Sequence, residues 1–198
     1  MEFEFDAPTW DRIYEMLLGL AERIGKGRFT PDIVLAVSRG GWIPARVLCD
    51  LLGDPNLADV GVEFYFGVAE TKDEPTLVRP ASVSLEDRKV LIVDEVADTG
   101  KSLKLVKEHV TDRGAKEVKV AVIYSKPHSI VKPDFFAGET SSWIVFPWEI
   151  KETVRKIIKD SAARRKSREE ETAKLVKAGV PSELVERFVK EVLEEEKC

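Results

Sequence analysis

Cysteine is almost absent: the 198 residues hold two, Cys49 within an apolar run and Cys198 at the last position. Neither a disulfide framework nor a thiolate metal cluster can be built from that pair. Histidine is equally scarce. His109 and His128 do not read as members of a ligand pair, so both are expected at the surface. No stretch approaches the roughly 18 consecutive apolar residues of a membrane span. The opening MEFEFDAPTW is acidic where a secretion signal would be basic, so the expected compartment is the cytoplasm. An excess of positive charge is also missing. The net charge of -5 argues against a general nucleic-acid binder, whose footprint should be basic. What remains is a chain that is 43% hydrophobic, enough for a sizeable core, and long enough for one domain with an appendage.

Strands and helices alternate along most of it. Trp10, Ile13, Leu17, Leu20 and Ile24 recur at helical spacing after Thr9, a suitable N-cap. Residues 33–37 and 90–93 are short apolar runs that read as buried strands. Val60, Val62, Phe64 and Phe66 alternate as in a strand, and 118–124 is a further one. Residues 43–52 and 102–113 read as helices ended by Gly53 and Gly114. Short strands over 134–136 and 143–146 are expected at the sheet's end. The pattern predicts an α/β domain of three layers, with a mostly parallel central sheet flanked by helices. The polar stretch 67–86 shows no period and reads as a loop. Beyond residue 150 the chain is densely charged and reads as a helical hairpin. The apolar stripe of Leu184, Val185, Phe188, Val189 and Val192 on its second helix makes a homodimer or higher homo-oligomer an expectation.

The chemistry concentrates in residues 90–102, VLIVDEVADTGKS. An apolar strand leads to Asp94 and Glu95, then Asp98, then Thr99-Gly100-Lys101-Ser102 at a helix start. Unsatisfied N–H groups at such a start attract phosphate, and the two hydroxyls add donors. A P-loop would need glycine at position 95, which holds glutamate. Carboxylates repel bare phosphates but accept hydrogen bonds from vicinal hydroxyls, so a sugar phosphate fits better than a triphosphate.

This segment resembles the phosphoribosyl pyrophosphate (PRPP) signature of the type I phosphoribosyltransferases. The resemblance runs over about residues 10–150 and implies that family's fold, with a small mobile hood over 67–84. It leaves 151–198 as a C-terminal helical extension. It implies that Asp94 and Glu95 hold the ribose hydroxyls, that Thr99, Gly100, Lys101 and Ser102 cradle the 5-phosphate, and that Asp98 handles the proton of the base's N7. The family more often carries Asp-Asp or Glu-Asp where this chain has Asp94-Glu95.

Ser38-Arg39-Gly40-Gly41 after the first apolar strand resembles the family's pyrophosphate loop, which often holds a non-proline cis peptide, here Ser38–Arg39. Arg39 offers a planar fork to phosphate oxygens. Ser125-Lys126-Pro127 and Trp143 to Glu149 resemble the base-binding end of the 6-oxopurine members, particularly the xanthine–guanine type and archaeal relatives. There Lys126 would donate to O6, Trp143 would stack on the purine, a contact worth about 1–3 kcal/mol, and the backbone of Ile144 would meet the base edge. Glu149 would bind Mg²⁺ through water. The implied reaction converts PRPP and a 6-oxopurine base (guanine, xanthine or hypoxanthine) to a nucleoside monophosphate and pyrophosphate, with Mg²⁺ as cofactor and no nucleic-acid or membrane partner. The alternatives are a non-catalytic PRPP-binding regulator and an adenine-specific enzyme.

Overall fold

The computed structural model describes residues 4–64, 74–164 and 167–195. In chain order these form β1 (Phe5–Asp6), α1 (Trp10–Lys26), β2 (Ile33–Ser38), α2 (Trp42–Leu51), β3 (Asn56–Phe64), β4 (Pro75–Arg79) and β5 (Lys89–Ala97). There follow α3 (Lys101–Asp112), β6 (Glu117–Ser125), β7 (Phe135–Glu139), β8 (Trp143–Ile144), α4 (Ile150–Arg164), α5 (Arg168–Lys177) and α6 (Ser182–Glu195). The chain divides into two compact units. One is Tyr14–Ser141, and the other joins Met1–Ile13 to Ser142–Cys198.

The larger unit is built on a six-stranded sheet of order β4-β3-β2-β5-β6-β7. Every pairing is parallel except that of β3 with β4. All of β2 is buried, as apolar runs must be when helices cover both faces of a parallel sheet. Ile33, Leu35, Val90 and Ile92 share one core with Leu103, Val106 and Val110 of α3. Val34, Ala36, Leu91 and Val93 point the other way and are as fully buried, while α2 packs on β2 and β5. The expected three-layer α/β architecture is therefore present.

The smaller unit pairs β1 with β8 in a two-stranded parallel sheet and adds α4, α5 and α6. Its core joins Val145, Val154, Ile157 and Ile158 to Leu175, Val180, Val185 and Val192. Leu184, Phe188 and Val189 pack against that core, so the stripe on α6 is covered inside its own unit. Lys151 bridges Glu191 at 2.7 Å and Glu195 at 2.9 Å across the α4–α6 seam.

The structure corrects four other readings. β5 continues through Asp94–Ala97, read as loop, because Asp94, Val96 and Ala97 pair in register with Val122, Tyr124 and Ser125 of β6. Residues 75–79 are not loop but the antiparallel edge strand β4, where the proline is tolerated at the strand's first position. The 143–146 strand is the two-residue β8, which pairs with β1 rather than with the large sheet. The expected hairpin is three helices, because Ser167 caps α5 by accepting from Glu170 N–H. Phe66 and most of the hood's first half lie outside the described residues.

Candidate active site

Strand order in the large sheet reverses between β2 and β5: β3 and β4 lie to one side, β6 and β7 to the other. Ligands of open α/β sheets bind beyond the carboxyl ends of the strands at such a switch point. Here those ends carry the two loops singled out by sequence, Ser38–Gly41 after β2 and Asp94–Ser102 after β5.

The Ser38–Arg39 peptide is cis. Ser38 is buried and donates its hydroxyl to Val60 O at 3.0 Å. Gly41 N–H donates to Val37 O at 2.8 Å, folding the loop back over its own strand. A Cβ on Gly41 would stand 2.4 Å from Val93 O and 2.6 Å from Val37 O, so only glycine fits between β2 and β5. Successive residues of a strand face opposite sides. Glu95 accordingly shares the α2 face with Val93 and lies against Gly40, whereas Asp94 shares the α3 face with Ile92. Burial pushes the Asp94 carboxyl up to about 7, although Glu95 N–H donates to it at 2.8 Å and opposes the rise.

After β5 the chain turns through Asp98 and Thr99, both exposed, to Gly100, whose φ of 80° is the left-handed conformation glycine adopts readily. Thr99 Oγ1 accepts from Lys101 N–H at 3.4 Å, and α3 then opens with its first N–H groups aimed back at the turn. Lys101 pairs with Glu74 at 3.6 Å. The 5-phosphate candidates are thus contiguous at a helix N-terminus.

Lys126, at the end of β6, is 8% exposed, which excludes a solvated loop lysine. Its N–H donates to Ala97 O at 3.0 Å, holding it beside Asp98. The remaining candidates belong to the smaller unit. Trp143 is 44% exposed, so its ring is not core filler. Trp143 N–H and Val145 N–H donate to Glu4 O and Asp6 O, which directs the intervening Ile144 N–H away from β1. Glu149 turns its carboxylate to Phe146 N–H at 3.2 Å, just ahead of α4.

Residues 9–154 match the phosphoribosyl transferase domain family. The chain belongs to that family. A xanthine-guanine phosphoribosyltransferase of Gluconobacter oxydans is 29% identical over 143 residues, covering 71% of this chain and 82% of that protein. A purine phosphoribosyltransferase of Pyrococcus horikoshii, known from its crystal structure, is 39% identical with a TM-score of 0.67, covering 73% of this chain and 93% of that one. A xanthine-guanine-hypoxanthine phosphoribosyltransferase of Helicobacter pylori, at 20% identity and a TM-score of 0.66, shares the fold.

Two residues that contact these candidates escaped sequence reasoning. Arg79 of β4 donates to Ser38 Oγ at 2.9 Å and pairs with Asp59, bracing the Ser38–Gly41 loop from the sheet's far side. His128 is exposed, as expected, yet its Nε2 lies 2.9 Å from Asp98 Oδ1. Its partner is 30 residues away, beyond the reach of local spacing. The other histidine, His109, is half-buried rather than exposed, and burial pushes its pKa down.

Among the described residues no cluster of three or more His, Cys, Asp or Glu forms a metal cage. No helix among the described residues is long and apolar enough to cross a membrane.

Proposed function

We propose that this phosphoribosyltransferase moves the 5-phosphoribosyl group of PRPP to a 6-oxopurine, releasing pyrophosphate and a nucleoside monophosphate. The observation that carries the reading is the junction of β5, α3 and the end of β6. Three carboxylates, a phosphate-seeking helix start and a buried lysine meet there at the sheet's switch point. In this reading the N–H groups and hydroxyls of Thr99–Ser102 anchor the 5-phosphate, while Asp94 and Glu95 accept from the ribose hydroxyls. Arg39 and the N–H groups of Gly40 and Gly41 take the diphosphate. Lys126 donates to O6, a contact adenine cannot accept. Trp143 stacks on the base, and the Ile144 backbone meets its edge.

The base attacks C1 of the ribose as pyrophosphate departs, building positive charge on the sugar ring, as in glycoside chemistry. Asp98 accepts the proton of N7, and the remaining site residues act by positioning. Glu149 would help hold Mg²⁺ through water, and the ion would supply neutralisation of charge on the departing diphosphate. A panel of guanine, xanthine, hypoxanthine and adenine with PRPP and Mg²⁺ tests the reading. The 6-oxopurines should be consumed, and adenosine monophosphate as the best product would overturn it.

A further inference from the structure

The segment from Lys126 to Val131 runs along the phosphate turn and meets it at three successive points. Lys126 N–H donates to Ala97 O at 3.0 Å, and Ile130 N–H donates to Thr99 O at 3.0 Å. Between these two rungs, His128 Nε2 lies 2.9 Å from Asp98 Oδ1. Ser129 N–H closes back on Lys126 O at 3.1 Å, so Pro127 and His128 are the central residues of a turn. The two segments of this frame pack closely at Gly100. A Cβ on Gly100 would stand 2.6 Å from Ser129 Oγ and 2.7 Å from Val131 N. Both Asp98 and His128 are therefore held by main chain on either side, and their pairing does not depend on two loops meeting by chance. An ionised carboxylate only accepts hydrogen bonds, so Nε2 must carry the ring proton in this contact.

We propose that His128 is a positioning residue for Asp98. By donating to Oδ1 it fixes the plane of the carboxylate and leaves Oδ2 to receive the base proton. The inference rests on the reading of Asp98 as proton acceptor. In the step it serves, N9 of the base forms a bond to C1 of the ribose. The C1–O bond to pyrophosphate breaks with its electron pair leaving on oxygen, and the N7 proton passes to Asp98 Oδ2. His128 keeps its own proton throughout, and Oδ1 remains an acceptor when Asp98 becomes a neutral acid. The two side chains are 62% and 54% exposed, so solvent screens any ion-pair energy. Orientation is what His128 supplies, and a modest rate effect follows.

Steady-state kinetics with PRPP, Mg²⁺ and hypoxanthine test this. His128→Ala should lower kcat about tenfold while KM for PRPP stays within about twofold, the pattern of an interaction made at the reacting centre. His128→Gln, whose side-chain amide offers a neutral donor near the Nε2 position, should recover most of that loss. In an Asp98→Asn background, His128→Ala should have no further effect on kcat, because its action passes through the carboxylate. An equal drop in both backgrounds, or a glutamine variant as slow as the alanine one, overturns the role of His128. If Asp98→Asn is too slow to serve as a background, the glutamine variant alone decides. Wild-type turnover by Asp98→Asn would instead overturn the reading of Asp98 itself.

Discussion

Gly40 and Glu95 occupy the same space: a Cβ on Gly40 would stand 2.3 Å from Glu95 Oε1. The Ser38–Gly41 loop and the acidic end of β5 are thus fitted to each other. Gly40→Ala should drive the Glu95 side chain aside, raising KM for PRPP about tenfold with little loss of stability, since a flexible carboxylate can swing away. The neighbouring glycine behaves differently. A Cβ on Gly41 meets backbone of both β2 and β5, which cannot yield. Gly41→Ala should destabilise the fold by about 1–3 kcal/mol, as overpacking does. Comparing the two variants by thermal melting and PRPP kinetics checks the contrast.

Asp98→Asn keeps the shape of the side chain and removes its capacity to take a proton. Turnover should fall about a hundredfold or more, in the range of lost general-base catalysis. Calorimetric titration should show PRPP binding within about twofold of the wild type, because the phosphate and ribose contacts remain.

The base-side reading predicts a change in preference. Lys126→Met removes the donor to O6 while preserving much of the stem's volume. Its kcat/KM for guanine or hypoxanthine should fall about tenfold to a hundredfold, the scale of losing a hydrogen bond from a charged group. Adenine should lose little, and competition assays with paired bases would measure the shift.

Asp94 gives stability a pH dependence whose sign can be worked out. Its carboxyl stands at about 7 in the fold against an ordinary 3.8, so the folded chain holds that proton more tightly than the unfolded one. The stabilising contribution is complete below about pH 4 and is lost as pH rises through about 7. Part of the residue's surface stays exposed, so solvent screens the penalty. Asp94→Asn should melt a few degrees above the wild type at pH 8 and match it at pH 4, in the absence of ligand. A variant that melts below the wild type at pH 8 would contradict the stated cause of the shift.

Much of this was legible in the residues because the two central strands carry unbroken apolar runs over 33–37 and 90–93, and α1, α2 and α3 keep helical spacing. The Asp94–Ser102 segment was legible for another reason, since its acids, glycine and hydroxyls are contiguous. What escaped is polar or distant. Asp94 and Glu95 look like loop residues, although the main chain through Asp94–Ala97 continues the ladder with β6. β4 alternates half-buried and exposed positions over 75–78, but its residues Pro-Thr-Leu-Val-Arg set Leu77 and Val78 side by side, so no alternation of hydrophobicity marks it. A two-residue strand such as β8 carries no period at all. Arg79 and His128 reach their partners only because the sheet returns them, and nothing in the neighbourhood of either residue announces it.

The most direct measurement is a crystal structure of the protein with PRPP and Mg²⁺ bound. The 5-phosphate should lie against the N–H groups that open α3 and the hydroxyls of Thr99 and Ser102, with the ribose hydroxyls facing Asp94 and Glu95. A PRPP phosphate bound anywhere else, with that turn left to solvent, would contradict the assignment.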